Sequence, residues 1–419
     1  MSREVLSLAA VLVPVLAATS GDWPQWRGPN RDGHAVAARL PTKWPGAAPA
    51  PVWKANIGEG YAGAAVAGGK VFALARDDAK GTECASCFDL VSGTRLWDVS
   101  YAAGFKAPDP TAGRGPNATP AVDGDRVHFF GLAGMLTCVE IATGKTLWQR
   151  DCFKEYWGVA KSAEGDDKWF PPCGASASPL VDGDTLIVPV GGKKAGAVTG
   201  FDCATGKLLW KALDDRSSYA SPVIAAPGGV KQIVAFTGTR MVGLRHADQE
   251  LLWDQPFPAR YEQTIVGPVV WKDRIVMGGE QRATFALKLT RDGNTMKTEQ
   301  VWKSDDLKMY LTTPVIVGEY LIGFDHRTGK LACLALEDGA TAWTSPSFGT
   351  KHLTFIAAGN TLLILTLDGT LTVATVSATG YEQVAKWKVS EKGTWAHLAL
   401  AGNRLIVKGP EDLMCYELR

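Results

Sequence analysis

The stretch I-A-T-G-K-T-L-W at residues 141–148 decides the fold, because near-copies of it recur along the chain. Residues 90–97 read L-V-S-G-T-R-L-W, and residues 203–210 read C-A-T-G-K-L-L-W. A glycine that accepts positive φ before two large apolar residues is typical of a tight turn that enters a β-strand. Eight tryptophans end related motifs at spacings of 41 to 62 residues: Trp53, Trp97, Trp148, Trp210, Trp253, Trp302, Trp343 and Trp387.

One repeat contains four strand signals. They are T-P-A-V (119–122), R-V-H-F-F (126–130), M-L-T-C-V-E (135–140) and T-L-W-Q-R (146–150), and Gly-containing turns separate them. A period in the forties with four strands per unit is typical of a β-propeller blade, which needs both neighbours to bury its faces. We therefore predict an all-β fold, an eight-bladed β-propeller of four-stranded antiparallel blades.

The two ends of the repeat array complement each other. Trp53 has no blade before it, and the last strand signal, L-M-C-Y-E-L (413–418), has no outer strand after it. We expect P-V-W-K-A-N-I (51–57) to supply that outer strand, which closes the ring and removes both free edges. The predicted organisation is a signal peptide at 1–20, an extended segment at 21–50 and the propeller at 51–419.

The charge balance limits the class of partner, and the N-terminal segment indicates an exported protein. The chain has 44 basic and 43 acidic residues, a net charge of +1, which argues against nucleic-acid binding and a polybasic membrane anchor. The N-terminus has Arg3, an apolar run at 5–18 and then small residues, an order that is typical of an export signal. The apolar run is shorter than the ~20 residues that span a bilayer. No cysteine lies near the cleavage region. We predict a periplasmic or secreted protein without transmembrane segment or lipid anchor.

With these repeats placed, the chain resembles the bacterial PQQ-like propeller repeat family. The signature x-D-x-x-T-G-K-x-L-W is clearest at 88–97, 139–148 and 201–210, and its copies cover most of residues 51–419. D-W-P-Q-W-R-G-P-N-R-D-G (22–33) resembles the N-terminal segment of exported members. The resemblance implies two functional classes. Quinoprotein dehydrogenases hold pyrroloquinoline quinone (PQQ) and calcium, whereas others are non-catalytic scaffolds, such as the propeller component of the outer-membrane β-barrel assembly machinery.

The sequence lacks the motifs and ligand residues that the dehydrogenase class implies. It has no adjacent cysteine pair, no C-x-x-C-H haem motif and no calcium set that matches residue by residue. We therefore predict a monomeric, non-catalytic binding or scaffolding module of the cell envelope that needs no cofactor and binds an envelope protein or peptide. The alternative is a PQQ-dependent oxidoreductase with a degenerate site, which would use PQQ with calcium.

The cysteines fall into two groups. Cys87, Cys138, Cys333 and Cys415 occupy one third-strand position, which other blades fill with Gly200, Gly243, Ala286 and Val373. Such a column indicates a small buried slot in which cysteine acts as an apolar residue, so no metal site is predicted. Cys152 and Cys173 lie in one insertion, where export permits a disulfide between them; the alternative is two thiols.

The longest connections between blades indicate the working face. The connections at 97–120 and 148–179 are longer than the other measured blade-to-blade connections. Insertions on one face of a repeat protein usually form its binding surface. The column three residues before each inner-strand proline, or its equivalent, should surround the channel mouth: Tyr61, Asn117, Ser176, Tyr219, Ile265, Leu311, His352 and Trp395.

Aromatic and basic residues add to this mouth. Tyr156, Trp157 and Trp169 lie in the second long connection and suit a binding hot spot, or else bury themselves over the blade. Arg114 and Arg216 precede the column and favour an acidic group or peptide; the alternative is ordinary solvated charge. The predicted binding surface comprises Tyr61, Arg114, Asn117, Tyr156, Trp157, Trp169, Ser176, Arg216, Tyr219, His352 and Trp395, and no catalytic residue is predicted.

Overall fold

Eight four-stranded antiparallel sheets form a ring, which confirms the predicted propeller. The computed structural model describes residues 21–104, 115–157, 173–191, 196–258 and 264–419. The predicted signal peptide lies outside these ranges. In seven sheets the strand order follows the chain from an inner to an outer strand, and inner strands of neighbouring blades contact each other around the channel.

The strands of the first half of the ring are short at the channel and longer at the rim. Blade 1 contains β2 (Ala65–Ala67), β3 (Lys70–Asp77), β4 (Thr82–Asp89) and β5 (Arg95–Ala102). Blade 2 contains β6 (Ala121–Asp123), β7 (Arg126–Phe130), β8 (Met135–Glu140) and β9 (Thr146–Asp151). Blade 3 contains β10 (Leu180–Asp182), β11 (Thr185–Val188), β12 (Val198–Asp202) and β13 (Leu208–Ala212). Blade 4 contains β14 (Val223–Ala225), β15 (Gln232–Phe236), β16 (Arg240–Arg245) and β17 (Leu251–Pro256).

The second half repeats the pattern and ends with three strands. Blade 5 contains β18 (Val269–Trp271), β19 (Arg274–Gly279), β20 (Arg282–Asp292) and β21 (Thr295–Ser304). Blade 6 contains β22 (Val315–Val317), β23 (Tyr320–Asp325), β24 (Lys330–Ala335) and β25 (Thr341–Thr344). Blade 7 contains β26 (Leu353–Ala358), β27 (Thr361–Thr366), β28 (Thr370–Val376) and β29 (Tyr381–Lys388). Blade 8 contains β30 (Ala399–Ala401), β31 (Arg404–Lys408) and β32 (Asp412–Glu417).

The N-terminal strand β1 (Pro51–Asn56) completes blade 8, as predicted. It pairs antiparallel with β32, and Trp53 lies opposite Cys415. The Trp53 ring is buried and stacks on Phe88 of blade 1 at a centroid distance of 6.1 Å. The ring of blades is therefore closed by strand pairing and by side-chain packing together.

Four of the repeated tryptophans dock on the glycine turn of the next blade: Trp53 on Gly93, Trp97 on Gly144, Trp148 on Gly206 and Trp302 on Gly339. The Trp97 indole donates to the Ile141 carbonyl oxygen at 2.9 Å, and its ring lies over Gly144. Gly144 has φ 76°, and a Cβ there would stand 2.6 Å from the Trp97 ring. Glycine is thus required both by the turn and by the approach of the ring. The same indole-to-carbonyl bond is made by Trp53, Trp148, Trp302 and Trp343.

Blade 7 departs from the predicted alignment of tryptophans. Trp387 lies opposite Leu371, whereas Ala385 takes the place opposite Val373 that tryptophan holds in other blades. The hairpin between β28 and β29 carries additional ladder pairs, which shift the tryptophan by two residues. Its indole instead donates to Pro45, in the segment that precedes β1. The prediction that Trp387 is equivalent to the other seven tryptophans was wrong.

The cysteine column is confirmed. Cys87, Cys138, Cys333 and Cys415 are all fully buried, and each lies opposite a tryptophan of the outer strand. Gly200 and Gly243 take the same place opposite Trp210 and Trp253. The slot is small because the indole of the outer strand covers it.

Helical structure is minor in the described part of the chain. Helix α1 (Cys152–Trp157) follows β9, and a single 3-10 turn spans Pro227–Gly229. Among the described residues, no helix has the length and apolar character needed to cross a membrane.

Candidate functional site

One end of the channel is filled by residues 22–35, which we call the plug segment. Trp23 exchanges two backbone hydrogen bonds with Val66 of blade 1, both at 2.8 Å. The Val122 amide of blade 2 donates to the Pro24 carbonyl at 2.9 Å, and the Ala35 amide donates to Ala357 of blade 7 at 2.8 Å. The free edges of the inner strands thus find partners in the plug segment.

Two buried arginines bind the plug segment to the starts of the inner strands of blades 3, 4 and 6. The Arg27 guanidinium donates to the carbonyl oxygens of Thr313, at 2.7 Å, and Pro314, at 2.5 Å. The Arg31 guanidinium donates to the carbonyl oxygens of Pro222 and Pro179, both at 2.9 Å, and of Ser178 at 3.2 Å. Burial lowers the pKa of Arg27 to about 10 and that of Arg31 to about 9, so both remain cationic at neutral pH. Sequence reasoning missed this role, because nothing in R-G-P-N-R shows which carbonyls need donors.

Trp26 forms the floor of a cavity at the opposite end of the channel. Its ring packs closely on Gly267 of blade 5, where a Cβ would stand 2.6 Å from it. The cavity has a volume of about 180 Å³. The lining residues are Trp26, Tyr61, Asn117, Cys173, Ser176, Ser178, Tyr219, Ser221, Ile265, Tyr310, Leu311, Trp395 and His397. We call this space the mouth cavity.

The structure brings the predicted column together. Seven of its eight residues line the mouth cavity, and the eighth, His352, contacts the lining residue Trp395 at a centroid distance of 5.1 Å. Rings continue around the rim on both sides. Trp395 stacks on Tyr61 at 5.6 Å, and His352 lies 5.7 Å from Tyr310. We call Tyr61, Trp395, His352 and Tyr310 the aromatic belt; each is half-buried.

The hydroxyl groups at the base of the mouth cavity hold the blades together. Ser178 Oγ accepts a hydrogen bond from the Thr119 amide, and Ser221 Oγ accepts one from the Ser178 amide, both at 2.9 Å. Thr313 Oγ1 accepts from the Gly267 amide in the same way. The Ser/Thr-Pro motif therefore connects the inner strands of neighbouring blades at three junctions, between blades 2 and 3, 3 and 4, and 5 and 6. Among the described residues, these oxygens have no basic partner of the kind that activates a nucleophile.

The described lining of the mouth cavity is uncharged. It contains neither a carboxylate nor a lysine or arginine side chain. Its one imidazole, His397, packs edge-on against Trp26 at 6.0 Å. Burial and the nearby Arg27 charge lower the pKa of His397 to about 4, so this ring is neutral at physiological pH. The site can bind through aromatic faces, amide and hydroxyl groups.

The described basic residues that precede the column do not line the mouth cavity. Lys308 and Lys392 stand three residues before Leu311 and Trp395, as Arg216 does before Tyr219, and they pair with Asp305 at 3.4 Å and with Glu411 at 2.6 Å. Arg216 is half-buried, packs on Gly238 and does not line the mouth cavity. Arg114 lies outside the described residues.

Of the three aromatic residues predicted in the 148–179 connection, the structure describes the side chain of Tyr156 alone. Tyr156 packs on Phe201 of blade 3 at 6.3 Å, with the Lys211 ammonium 4.3 Å from its ring, and does not line the mouth cavity. This position matches the alternative in which it covers the blade. The Trp157 side chain and Trp169 lie outside the described residues.

The predicted bridge between Cys152 and Cys173 is not formed, and this prediction was wrong. Both residues are thiols in the structure. Cys152 is buried in the apolar contact between blades 2 and 3, whereas Cys173 lines the mouth cavity beside Tyr219, whose hydroxyl accepts from its amide at 3.0 Å. The two cysteines thus belong to different parts of the fold, although one insertion carries both.

The described lining does not fit PQQ with calcium. Calcium takes carboxylate and carbonyl oxygens, and a quinone with three carboxylates needs cationic partners. Neither a carboxylate nor a cationic side chain is among the described lining residues. Asn117 Oδ1 is the one side-chain amide oxygen in the described lining, which is fewer than the six to eight oxygen ligands that calcium takes.

Outside the mouth cavity, Glu83 is a fully buried carboxyl between blades 1 and 2. Its Oε1 accepts from the Leu132 amide at 2.9 Å, and the Tyr101 hydroxyl lies beside the carboxyl and favours its charged form. Burial raises the pKa of Glu83 from 4.5 to about 7. The folded protein therefore holds this proton more tightly than the unfolded chain does.

Glu83 should make stability depend on pH. Because its folded pKa is the higher one, its contribution is complete below pH 4.5 and is lost as the pH rises through 7. The free energy of unfolding should fall by up to ~3 kcal/mol over this window, from the 1.36 kcal/mol per unit of pKa shift. Urea denaturation at intervals between pH 4.5 and pH 8 measures it. Glu83→Gln should flatten the profile, and the exposed Glu391→Gln should not; equal profiles for wild type and Glu83→Gln would refute the assignment.

The fold and the mouth cavity define a class: a closed propeller whose channel is plugged at one end and holds a cavity at the other. The chain belongs to the PQQ-like propeller family described as outer membrane protein assembly factor BamB, which matches residues 42–150 and 80–345. No curated protein sequence matches the chain significantly.

Solved structures share the fold at low sequence identity. BamB from Moraxella catarrhalis has a TM-score of 0.60 at 15% identity, covering 89% of this chain and 98% of BamB. Quinohemoprotein alcohol dehydrogenase from Comamonas testosteroni has a TM-score of 0.61 at 13% identity, covering 95% of this chain and 80% of the dehydrogenase. The computationally designed Ika8 protein has a TM-score of 0.58 at 13% identity, covering 86% of this chain and 98% of the design. An assembly factor, an alcohol dehydrogenase and a designed protein thus have one architecture.

Proposed function

We propose that this protein is an exported, non-catalytic binding module of the cell envelope that holds extended protein segments at its mouth cavity. The carrying observation is that the described lining of the mouth cavity is uncharged and aromatic, in a channel that the plug segment closes from the other side. Such a site offers area and hydrogen-bonding groups without the paired acid and base that catalysis needs. The family's description as an outer membrane protein assembly factor supports a protein ligand in the envelope.

The aromatic belt suits a segment with aromatic side chains. Tyr61 and Trp395 stack with an interplanar angle of 19°, so they present a preformed pair of rings beside the cavity. Rigid aromatic anchors dominate the free energy of many protein interfaces. Strands of outer-membrane barrels alternate apolar and polar residues and carry aromatic girdles, so they offer complementary rings together with unpaired backbone groups.

Loss of the belt pair should weaken peptide binding. The probe is a synthetic ten-residue peptide of alternating aromatic and polar residues, titrated into the full chain by calorimetry. Tyr61→Ala with Trp395→Ala should raise the Kd at least tenfold, because two anchors of ~1 kcal/mol or more are removed. Trp343→Ala with Tyr381→Ala removes a comparable half-buried pair, 6.3 Å apart, that does not line the cavity, and should leave the Kd unchanged.

Two results would overturn the proposal. One is equal binding by both double variants, with melting curves that show each to be folded. The other is turnover of alcohols or sugars with an artificial electron acceptor after PQQ and calcium are added, which would place the chain in the quinoprotein class instead.

A further inference from the structure

Two polar side chains break the apolar repeat at the junction of blades 2 and 3. His128 pairs with Ala121 on the second strand of blade 2. The equivalent residue is apolar in all seven other blades: Phe72, Ile187, Val234, Val276, Ile322, Leu363 and Ile406. Cys203 follows the third strand of blade 3, at a place that six blades fill with Leu90, Ile141, Leu289, Leu336, Val376 and Leu418.

These two residues meet a carboxylate. Asp123 ends the inner strand of blade 2, and its Oδ2 lies 3.7 Å from His128 Nε2. The ligand atoms of Asp123, His128 and Cys203 all lie within 4.8 Å of one another. His128 is fully buried and Cys203 is 1% exposed, so the group lies inside the contact between the two blades.

The buried imidazole has no hydrogen bond to a described residue. Neither His128 nitrogen is hydrogen-bonded to a described residue, and Asp123 Oδ2 has an ion pair with Arg126 Nε at 3.3 Å but accepts no hydrogen bond from a described residue. A buried polar atom without a partner destabilises a fold by ~1–3 kcal/mol, so these atoms require an explanation. The next junction provides a contrast: His246 replaces Cys203 there and bonds directly to Asp182, which also accepts from Lys231.

We propose that Asp123, His128 and Cys203 bind one divalent metal ion of the zinc class, which clamps blade 2 to blade 3. Imidazole nitrogen, thiolate sulfur and carboxylate oxygen are the donors that zinc takes, at bond lengths that separate tetrahedral ligands by ~3.3–3.7 Å. The Asp123–His128 separation already has this value. Arg126 Nε, 3.3 Å from Asp123 Oδ2, orients the carboxylate from outside the site.

The surroundings favour a structural role. The Trp148 indole donates to the Cys203 carbonyl at 3.0 Å, and its ring lies 5.7 Å from the His128 ring. Trp148, which packs blade 2 against blade 3, therefore covers the site. Sequence analysis predicted no metal site, because it considered the third-strand cysteine column, to which Cys203 does not belong.

Metal content and cobalt absorption test the proposal on the full chain. Purified protein, stripped with a chelator and then dialysed against zinc or cobalt, should bind about one equivalent. The cobalt form should show thiolate-to-metal charge-transfer absorption, and either metal should raise the melting temperature. Binding of much less than one equivalent, or a cobalt spectrum without a thiolate band, would overturn the proposal.

Variants that restore the repeat separate metal loss from misfolding. His128→Ile and Cys203→Leu introduce the residue types of the other blades, so the apo-proteins should melt at or above the wild-type temperature. Each should weaken zinc binding more than a hundredfold, beyond the 10–100-fold known for outer partners of a metal site. Cys333→Ala removes a different buried cysteine and should bind zinc like wild type. Wild-type affinity in His128→Ile or Cys203→Leu would refute the site.

Discussion

Replacing residues 51–57 with a Gly-Ser spacer of equal length should abolish cooperative unfolding and cause aggregation. The change removes the outer strand of blade 8 and leaves β32 with a free edge beside blade 1. It also removes Trp53, whose indole donates to Leu90 of blade 1 at 2.9 Å. Loss of a buried tryptophan alone costs ~3–5 kcal/mol, and lost strand pairing adds to it, against a typical total of ~5–15 kcal/mol. Urea denaturation followed by light scattering measures both effects.

The same segment supplied at the other end of the chain provides the control. Because Pro51 pairs with Tyr416, residues 417–419 and an added Asn-Gly form a five-residue loop that can return P-V-W-K-A-N-I along β32 in the original antiparallel register. This permuted variant should regain a cooperative transition and remain monomeric. A spacer variant that melts like wild type, or a permuted variant that stays aggregated, would contradict closure by β1.

Replacing Arg31 with methionine should lower the free energy of unfolding by ~3–5 kcal/mol. Methionine fills similar space but leaves the inward carbonyls of Ser178, Pro179 and Pro222 without their donor. Each buried unsatisfied acceptor destabilises by ~1–3 kcal/mol. The cation also lies over the Trp26 ring at 5.1 Å, so the floor of the mouth cavity should loosen as well. Chemical denaturation gives the energy, and acrylamide quenching of tryptophan fluorescence reports the floor.

Two further variants identify the cause of that loss. Arg39→Met changes an exposed arginine outside the plug segment and should alter stability by less than ~0.5 kcal/mol. Arg31→Lys keeps the charge without the planar fork that reaches three carbonyls, so it should fall between wild type and Arg31→Met. If Arg31→Met is as stable as Arg39→Met, the plug segment does not hold the inner strands as described.

Local patterns determined much of this protein. The recurrence of A-T-G-K-T-L-W specified the blade, because each copy contains both the glycine turn and the tryptophan of the outer strand that follows it. The strand at 413–418 has no outer strand after it, and the strand at 51–57 has no blade before it. The sequence therefore predicted that these two strands pair and close the ring. The mouth column was predictable for the same reason, since equal offsets from each inner strand converge on one axis.

Only the tertiary structure decided which residues fill the channel and which residues contact each other between neighbouring blades. The donors of Arg27 and Arg31 find carbonyls nearly 150 or more residues away, and no spacing in the sequence encodes that meeting. Cys152 and Cys173 share an insertion but separate into an apolar core and a cavity wall. His128 and Cys203 stand in different repeats and meet because neighbouring blades stack. Periodicity specifies contacts within a blade, whereas contacts across the channel and between blades depend on how the closed ring places residues distant in the chain.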